Sequence, residues 1–365
     1  MVVAPGFVDL HVHGGGGSQV SGETPEEVEA EVGRLCLHHV RHGTTSLLAT
    51  TVSDSPERLR AAARGVALAM EARSGRRPDR GTGPVPVGST VLGIHLEGPW
   101  LAPERAGAHA REHLRRPDTG ELAALAEQSS GTVRLVTFAP ELPGADRLVA
   151  AGLAAGIVMS VGHTAAGFDA VRSALAAGAS HVTHLGNAMA ALDRRQPGPV
   201  AAALADPTAT LELIADGVHV HPGFLAMVAA VAPRRVVAVT DATSACGMPT
   251  GSYKVGQSAV SVRADRVVLE AQPDTLAGSV LTMDRAVATL IGAGVDLGTA
   301  VLAATGTPAG VISSIDKGHL RPGADADVVV LDERLKAAAT IAGGEVVWDP
   351  SNLLVAAPVG GPSRC

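Results

Sequence analysis

Six side chains able to bind a cation or carry a proton close five separate apolar runs of this chain. His11 and His13 end PGFVDLHVHG, Glu97 ends GIHLEGP, His163 ends VMSVGHT, His184 ends HVTHLGNAM and Asp241 ends VVAVTDAT. On a strand, residues two apart share a face, so His11 and His13 point the same way. Imidazole mixed with carboxylate suits Zn²⁺ or Fe²⁺, whereas Mg²⁺ and Ca²⁺ prefer shells of oxygen. No cysteine stands at these positions, which argues against a closed structural zinc site and for an open one with room for water. A bound metal makes hydroxide available near neutral pH. A carboxylate must then take a proton and return it to a leaving group; Asp241 is the natural candidate.

Residues so far apart converge only if the elements carrying them do. Strands are expected near 6–13, 44–50, 90–96, 133–139, 157–162, 180–185, 210–215 and 235–240, with Ala-rich helical stretches between them. One helix opens at Thr24-Pro25-Glu26-Glu27, with Thr24 as N-cap, Pro25 at N1 and Glu27 at N3. Another opens at Asp118, with Glu121 three residues on. Regular alternation predicts an α/β fold, a (β/α)8 TIM-like barrel whose active site lies at the C-terminal strand ends. Residues 74–89 read as a surface loop, 252–272 as a small β excursion after strand eight, and 279–294 and 297–304 as helices. The expected division is a barrel over 1–315, short antiparallel strands of a small β domain over 316–349, and a tail over 350–365.

Composition removes several function classes. A net charge of −7 argues against non-specific nucleic-acid binding. No run of apolar residues is long enough to span a membrane, and no secretory signal opens the chain. Cys36, Cys246 and Cys365 are odd in number and scattered, which fits a reducing cytoplasm. With aromatics at 2%, the core must be built mainly of Ala, Val and Leu.

These motifs make the chain similar to the amidohydrolase superfamily and, within it, to the N-acetylglucosamine-6-phosphate deacetylases. The matching segments are PGFVDLHVHGGGG, GTTSLLATTVSD, GIHLEGPWLAPERAGAH, SVGHTAA, THLGNAM, IADGVHVHP, VTDATSACGMPTG and TLAGSVLTM, in family order over residues 5 to 283. The resemblance implies metal-dependent hydrolysis of N-acetyl-D-glucosamine 6-phosphate to D-glucosamine 6-phosphate and acetate. By position, Glu97, His163 and His184 match the ligands of the main metal. His11 and His13, sharing Glu97, match a pair that holds a second metal in some members. One or two ions per subunit follow, zinc first, with iron, cobalt, manganese or cadmium as alternatives. Asp241 matches the acid/base and His109 a residue that polarises the acetyl carbonyl. Asn187 and Ala188 match the sugar-phosphate pocket, and His219 and Arg195 phosphate contacts. The arginine implies a homodimer, because in the family it reaches into the neighbouring subunit's site.

Three of these have near rivals in sequence: Arg194 beside Arg195, His221 two residues after His219, and a helix-cap role for Asn187. His38, His39, His42, His181 and Cys246 read as structural or exposed. A carboxylated-lysine bridge, as in cyclic-amide hydrolases, is ruled out because the first lysine is Lys254. The resemblance also implies a longer stretch ahead of the PGF motif, pairing with the C-terminal strands. Here that motif starts near Met1, so residues 318–349 are expected to lack partner strands, or else to close through 252–272.

Overall fold

The structure is a computed structural model and describes residues 1–73 and 88–354. Eight parallel strands stand in sequence order: Phe7–Val12, Thr44–Thr51, Thr90–Glu97, Val133–Phe138, Val158–Val161, His181–Val182, Thr210–Ile214 and Val236–Val239. The first and eighth meet at the C-terminal end, where Asp241 N donates to His11 O at 2.9 Å and His13 N to Ala242 O at 2.9 Å. The α/β barrel is therefore the fold. Thr44–Thr51 is buried along its whole length, as a parallel strand covered on both faces must be. Leucines, valines and alanines fill the core, with Trp100, Phe7 and Phe138 its largest buried side chains.

Local sequence explains the helix starts. Thr24 accepts from Glu27 N, and the Glu27 side chain returns to the Thr24 backbone, a full capping box ahead of helix Pro25–His39. Asp118 accepts from Gly120 N and Glu121 N to open Thr119–Gln128. Small residues then let helices approach: a Cβ on Gly65 would lie 2.5 Å from Val28 Cβ, on the face where Pro25–His39 meets Pro56–Arg73. The expected helix 279–294 begins only at Met283. Residue 279 is held in an extended bridge, with Ser279 N donating to Asp241 O at 2.8 Å and Thr243 N to Ser279 O at 3.0 Å. A further short helix, Gly306–Val311, had no periodic signal to announce it.

The excursion is a four-stranded antiparallel sheet, Ser252–Val255, Ser258–Arg263, Arg266–Leu269 and Gln272–Leu276. Its apolar face packs on Val52 and Ala108, at the barrel mouth. A second antiparallel sheet joins Val2–Pro5, Val328–Leu331, Ala337–Ala342 and Glu345–Trp348. The expectation that the C-terminal strands stand without a partner is corrected here. Val2 pairs with Leu331 and Pro5 with Val328, so four residues ahead of the barrel supply a strand. Nor do residues 252–272 close that sheet; they form their own. Gly43, at φ +82°, lets the second sheet meet the barrel: a Cβ there would sit 2.6 Å from Val329 Cγ2 and 2.9 Å from Phe7 Cε2. Of the loop read at 74–89, residues 74–87 lie outside the described residues, as does the tail beyond 354.

Candidate active site

The strand ends bring the six residues together. Glu97 is the last residue of the third strand, and its Oε1 lies 2.9 Å from His184 Nε2 and 3.1 Å from His163 Nε2. Its Oε2 lies 3.1 Å from His13 Nε2, and Oε1 is 3.5 Å from His11 Nε2. Asp241 Oδ1 stands 3.3 Å from His13 Nε2 and 3.6 Å from His11 Nε2. His163, His184 and Asp241 each sit just past a strand in the left-handed region, at φ +46°, +30° and +49°. Such a conformation costs a non-glycine residue about 1–3 kcal/mol and persists where the surrounding fold imposes it.

The donor set fits a divalent cation. Glu97 with His163 and His184, and Glu97 with His11 and His13, form two compact buried groups that share the carboxylate. Their donor atoms are spaced close to the ~3.3 Å edge of a tetrahedral zinc shell with bonds of about 2.0–2.1 Å. The outward nitrogens settle the tautomers. His163 Nδ1 donates to Arg105 O at 2.6 Å, His13 Nδ1 to Thr50 O at 3.1 Å, and His11 Nδ1 to the Glu212 carboxylate at 3.2 Å. A carbonyl or carboxylate only accepts, so each Nδ1 carries its hydrogen, and each Nε2 faces inward, where it can hold either a proton or an ion. Nitrogens and carboxylate oxygens this close need protons or a cation between them. His184 Nδ1 is buried without a hydrogen-bond partner, and that residue is held through its backbone: His184 O accepts from Asn187 N at 2.9 Å, and His184 N donates to Glu212 Oε2 at 3.1 Å. Burial pushes the Glu97 carboxyl up, but His11 and His163 outweigh it and hold it well below the usual range. Asp241 likewise stays below its ordinary value: burial raises it, and His11 and His13 more than reverse that.

His109 completes the rim. The Ser53 backbone N–H donates to His109 Nδ1 at 3.0 Å, and a peptide N–H cannot accept. His109 Nδ1 is thus the acceptor, and Nε2 carries the hydrogen, donated to Glu97 Oε2 at 3.1 Å. Burial depresses the ring to about 4, despite the Glu97 bond, so it is neutral at pH 7.

A cleft of about 360 Å³ opens above these groups. Asn187, Ala188 and His219 line it beside the ligand residues. Asn187 N and Nδ2 both bond His184 O, at 2.9 and 3.2 Å, so this residue shapes the turn after His184 as well as facing the cleft. Between the two histidines of DGVHVHP, His219 faces the cleft, fixed by Asp216 at 2.7 Å, while His221 caps helix Pro222–Val231. Arg195 is not brought to this chain's own cleft; it lies with Arg194 in the exposed stretch 191–196. Cys246 is buried, 3.4 Å from His38 Nε2 and away from the ligands, and burial pushes its thiol up to about 12.

Sequence reasoning missed the groups that hold this set from behind. Ser53 fixes His109, and Glu212, fully buried on the seventh strand, accepts from His11 Nδ1, His181 Nε2 and His184 N. The available signal was an acid inside an apolar strand, TLELIADG: a buried charge on that scale needs partners. His181, read as structural or exposed, is structural and buried.

Comparison with known proteins agrees with this fold. The model of the amidohydrolase family matches residues 2–353. The chain is 37% identical to the N-acetylgalactosamine-6-phosphate deacetylase of Escherichia coli O157:H7, over 92% of this chain and 84% of that one. It is 36% identical to the human N-acetylglucosamine-6-phosphate deacetylase, over 95% and 83%. The structure of an Asp-to-Ala mutant of the Mycobacterium smegmatis N-acetyl-D-glucosamine-6-phosphate deacetylase, in complex with N-acetyl-D-glucosamine 6-phosphate, superposes with a TM-score of 0.84 at 38% identity, covering 94% of this chain and 86% of that one. A buried His/Glu centre at the C-terminal mouth of an eight-stranded barrel, matched along nearly the whole chain, places this protein in the amidohydrolase family.

Proposed function

We propose that the chain hydrolyses the acetamide of N-acetyl-D-glucosamine 6-phosphate to D-glucosamine 6-phosphate and acetate, in amino-sugar catabolism and cell-wall amino-sugar recycling. The observation that carries this is the neighbourhood of Asp241 and His109, an ionised carboxylate and a neutral N–H donor, on either side of the Glu97 centre. Glu97, His163 and His184 would hold one divalent ion, zinc first, and His11 and His13 with Glu97 would hold a second. When bound, such an ion supplies a water of lowered pKa and a Lewis acid for the carbonyl.

The protein's own groups do the rest. The His109 Nε2–H turns from Glu97 to the acetyl oxygen as negative charge develops there, a role worth about 2.7–4 kcal/mol for one oxyanion donor. Asp241 takes a proton from the attacking water and returns it to the sugar nitrogen as the C–N bond breaks, so the amine departs neutral. Asn187, Ala188 and His219 border the sugar phosphate. Arg195 of a neighbouring subunit supplies the planar charge that grips the phosphate dianion, which makes the working unit a homodimer. Among the described residues no helix is long and apolar enough to cross a membrane. Free Cys36 and Cys246 suit a reducing cytoplasm, where we place the enzyme.

The Escherichia coli relative raises a second substrate, the C4 epimer N-acetyl-D-galactosamine 6-phosphate. Acetate release from both epimers, and from unphosphorylated N-acetylglucosamine, tests the reading. A kcat/KM highest for the gluco phosphate supports it, a preference for the galacto phosphate installs the second reading, and release from neither overturns both.

A further inference from the structure

The first and second halves of the centre are held unequally from behind. His163 is fixed through Arg105 O, and His184 through its backbone: Asn187 N and Leu185 N bond main-chain oxygens of His184 and Glu212 at 2.9 and 2.8 Å whatever the side chain at 212. His11 differs. Its outward nitrogen meets one hydrogen-bond partner, Glu212 Oε2 at 3.2 Å, and that same oxygen accepts from His184 N at 3.1 Å. The other oxygen, Oε1, is bonded by His181 Nε2 at 2.9 Å. His95 packs edge-on against the His11 ring at 4.6 Å but is committed elsewhere, with Nδ1 donating to Leu10 O at 3.1 Å and Nε2 meeting Thr137 Oγ1 at 2.7 Å. The compact trio His11, His95 and Glu212 is therefore not a third ion site but a buried support.

We propose that Glu212 is the positioning residue that makes His11 an ion ligand, so that the His11/His13 half of the centre depends on it far more than the His163/His184 half, where it meets only the His184 backbone N–H. A carboxylate behind Nδ1 does two things. It keeps the hydrogen on the outer nitrogen, leaving the Nε2 lone pair toward the ion, and its charge raises the basicity of that lone pair. Without it the ring is free to move its hydrogen to Nε2, which cannot ligate. A glutamine at 212 keeps an acceptor behind His11 and lets His181 switch tautomer to accept from the new amide, so it removes the charge alone. A leucine removes charge and acceptor together. The inference rests on the reading that these residues hold divalent ions.

The test is ion binding to the intact chain, by equilibrium dialysis with Zn²⁺ and by absorption on titration with Co²⁺. Wild type should take two ions. Glu212→Gln should hold the first as tightly and the second about 10–100-fold more weakly, the usual effect of losing a partner behind a metal-bound histidine. Glu212→Leu should hold one, with a spectrum matching that of His11→Asn. Glutamine serves if leucine does not fold. Two ions bound to Glu212→Gln with wild-type affinity would overturn the proposal. So would a wild type that holds one ion unaffected by His11→Asn. A wild type that binds no ion at all overturns the reading of the centre itself, a separate result.

Discussion

Asp241 and His109 flank the same carboxylate but are proposed to do opposite work, and substitutions should separate them. Asp241→Asn keeps size and loses the ability to take a proton; kcat should fall about 10²–10⁴-fold while ion content by elemental analysis stays at the wild-type level. Near-normal turnover would remove Asp241 from proton transfer. His109 predicts a sharper contrast with its support. His109→Phe deletes the donor and should lower kcat about 10²–10³-fold. Ser53→Ala should leave kcat within a few-fold, because the Ser53 N–H that fixes the tautomer is backbone and survives. Steady-state kinetics of the pair decides this: equal losses would mean that the hydroxyl, at 2.9 Å from Nδ1, sets the ring instead. At this scale the residues that the structure gathers round Glu97 were legible because each closes an apolar run. Ser53 was not, since its partner lies 56 residues away, and Glu212 showed only as an acid inside an apolar strand, with nothing to tie it to His11, 201 residues away.

At the scale of elements, the eight strands and both capped helix starts could be read from periodicity and cap residues, within a few positions. The partner of Val328–Leu331 could not. Val2–Pro5 reads as the lead-in to the first barrel strand, and pairing across more than 300 residues leaves no local mark. Asp284 joins that sheet to the barrel. Its Oδ1 accepts from Arg285 N at 2.9 Å in the first turn of helix Met283–Gly292, and Oδ2 accepts from Ala337 N at 3.2 Å and faces His42 at 3.6 Å. Burial raises its carboxyl, and bonds from His42, Thr282 and Ala337 overcome this and hold it below the ordinary range. A depressed carboxyl adds stability above its unfolded value, near 3.8, and loses it as pH falls through the folded value. Thermal melts should therefore show wild type losing its margin over Asp284→Asn below pH about 4; a margin constant to pH 2 would remove the linkage. Gly43→Ala, adding a Cβ into Val329 at a left-handed φ, should destabilise by about 1–3 kcal/mol in denaturant unfolding.

Over the whole molecule, the proposed centre would act as a clasp. The residues proposed as ligands come from the first, third, fifth and sixth strands, with Asp241 from the eighth, so a bound ion would tie distant parts of the barrel at one end. An ion present at about a thousand times its Kd adds about 4 kcal/mol to the folded state. Chelation should lower Tm by several degrees, and scanning calorimetry with and without chelator checks it. The proposed assembly is testable by complementation: Arg195→Ala and Asp241→Asn chains, each inactive alone, should regain turnover when refolded together, through hybrids with one intact site. The three left-handed backbones at His163, His184 and Asp241 reach beyond catalysis. They make the site a burden on the ion-free barrel, since asparagine or glycine adopts those torsions more easily. In ion-free protein, His184→Asn should melt no lower than wild type. Replacing these residues would then relieve a torsional cost while erasing the chemistry. Inactive descendants of this barrel should be sturdy proteins rather than failing ones.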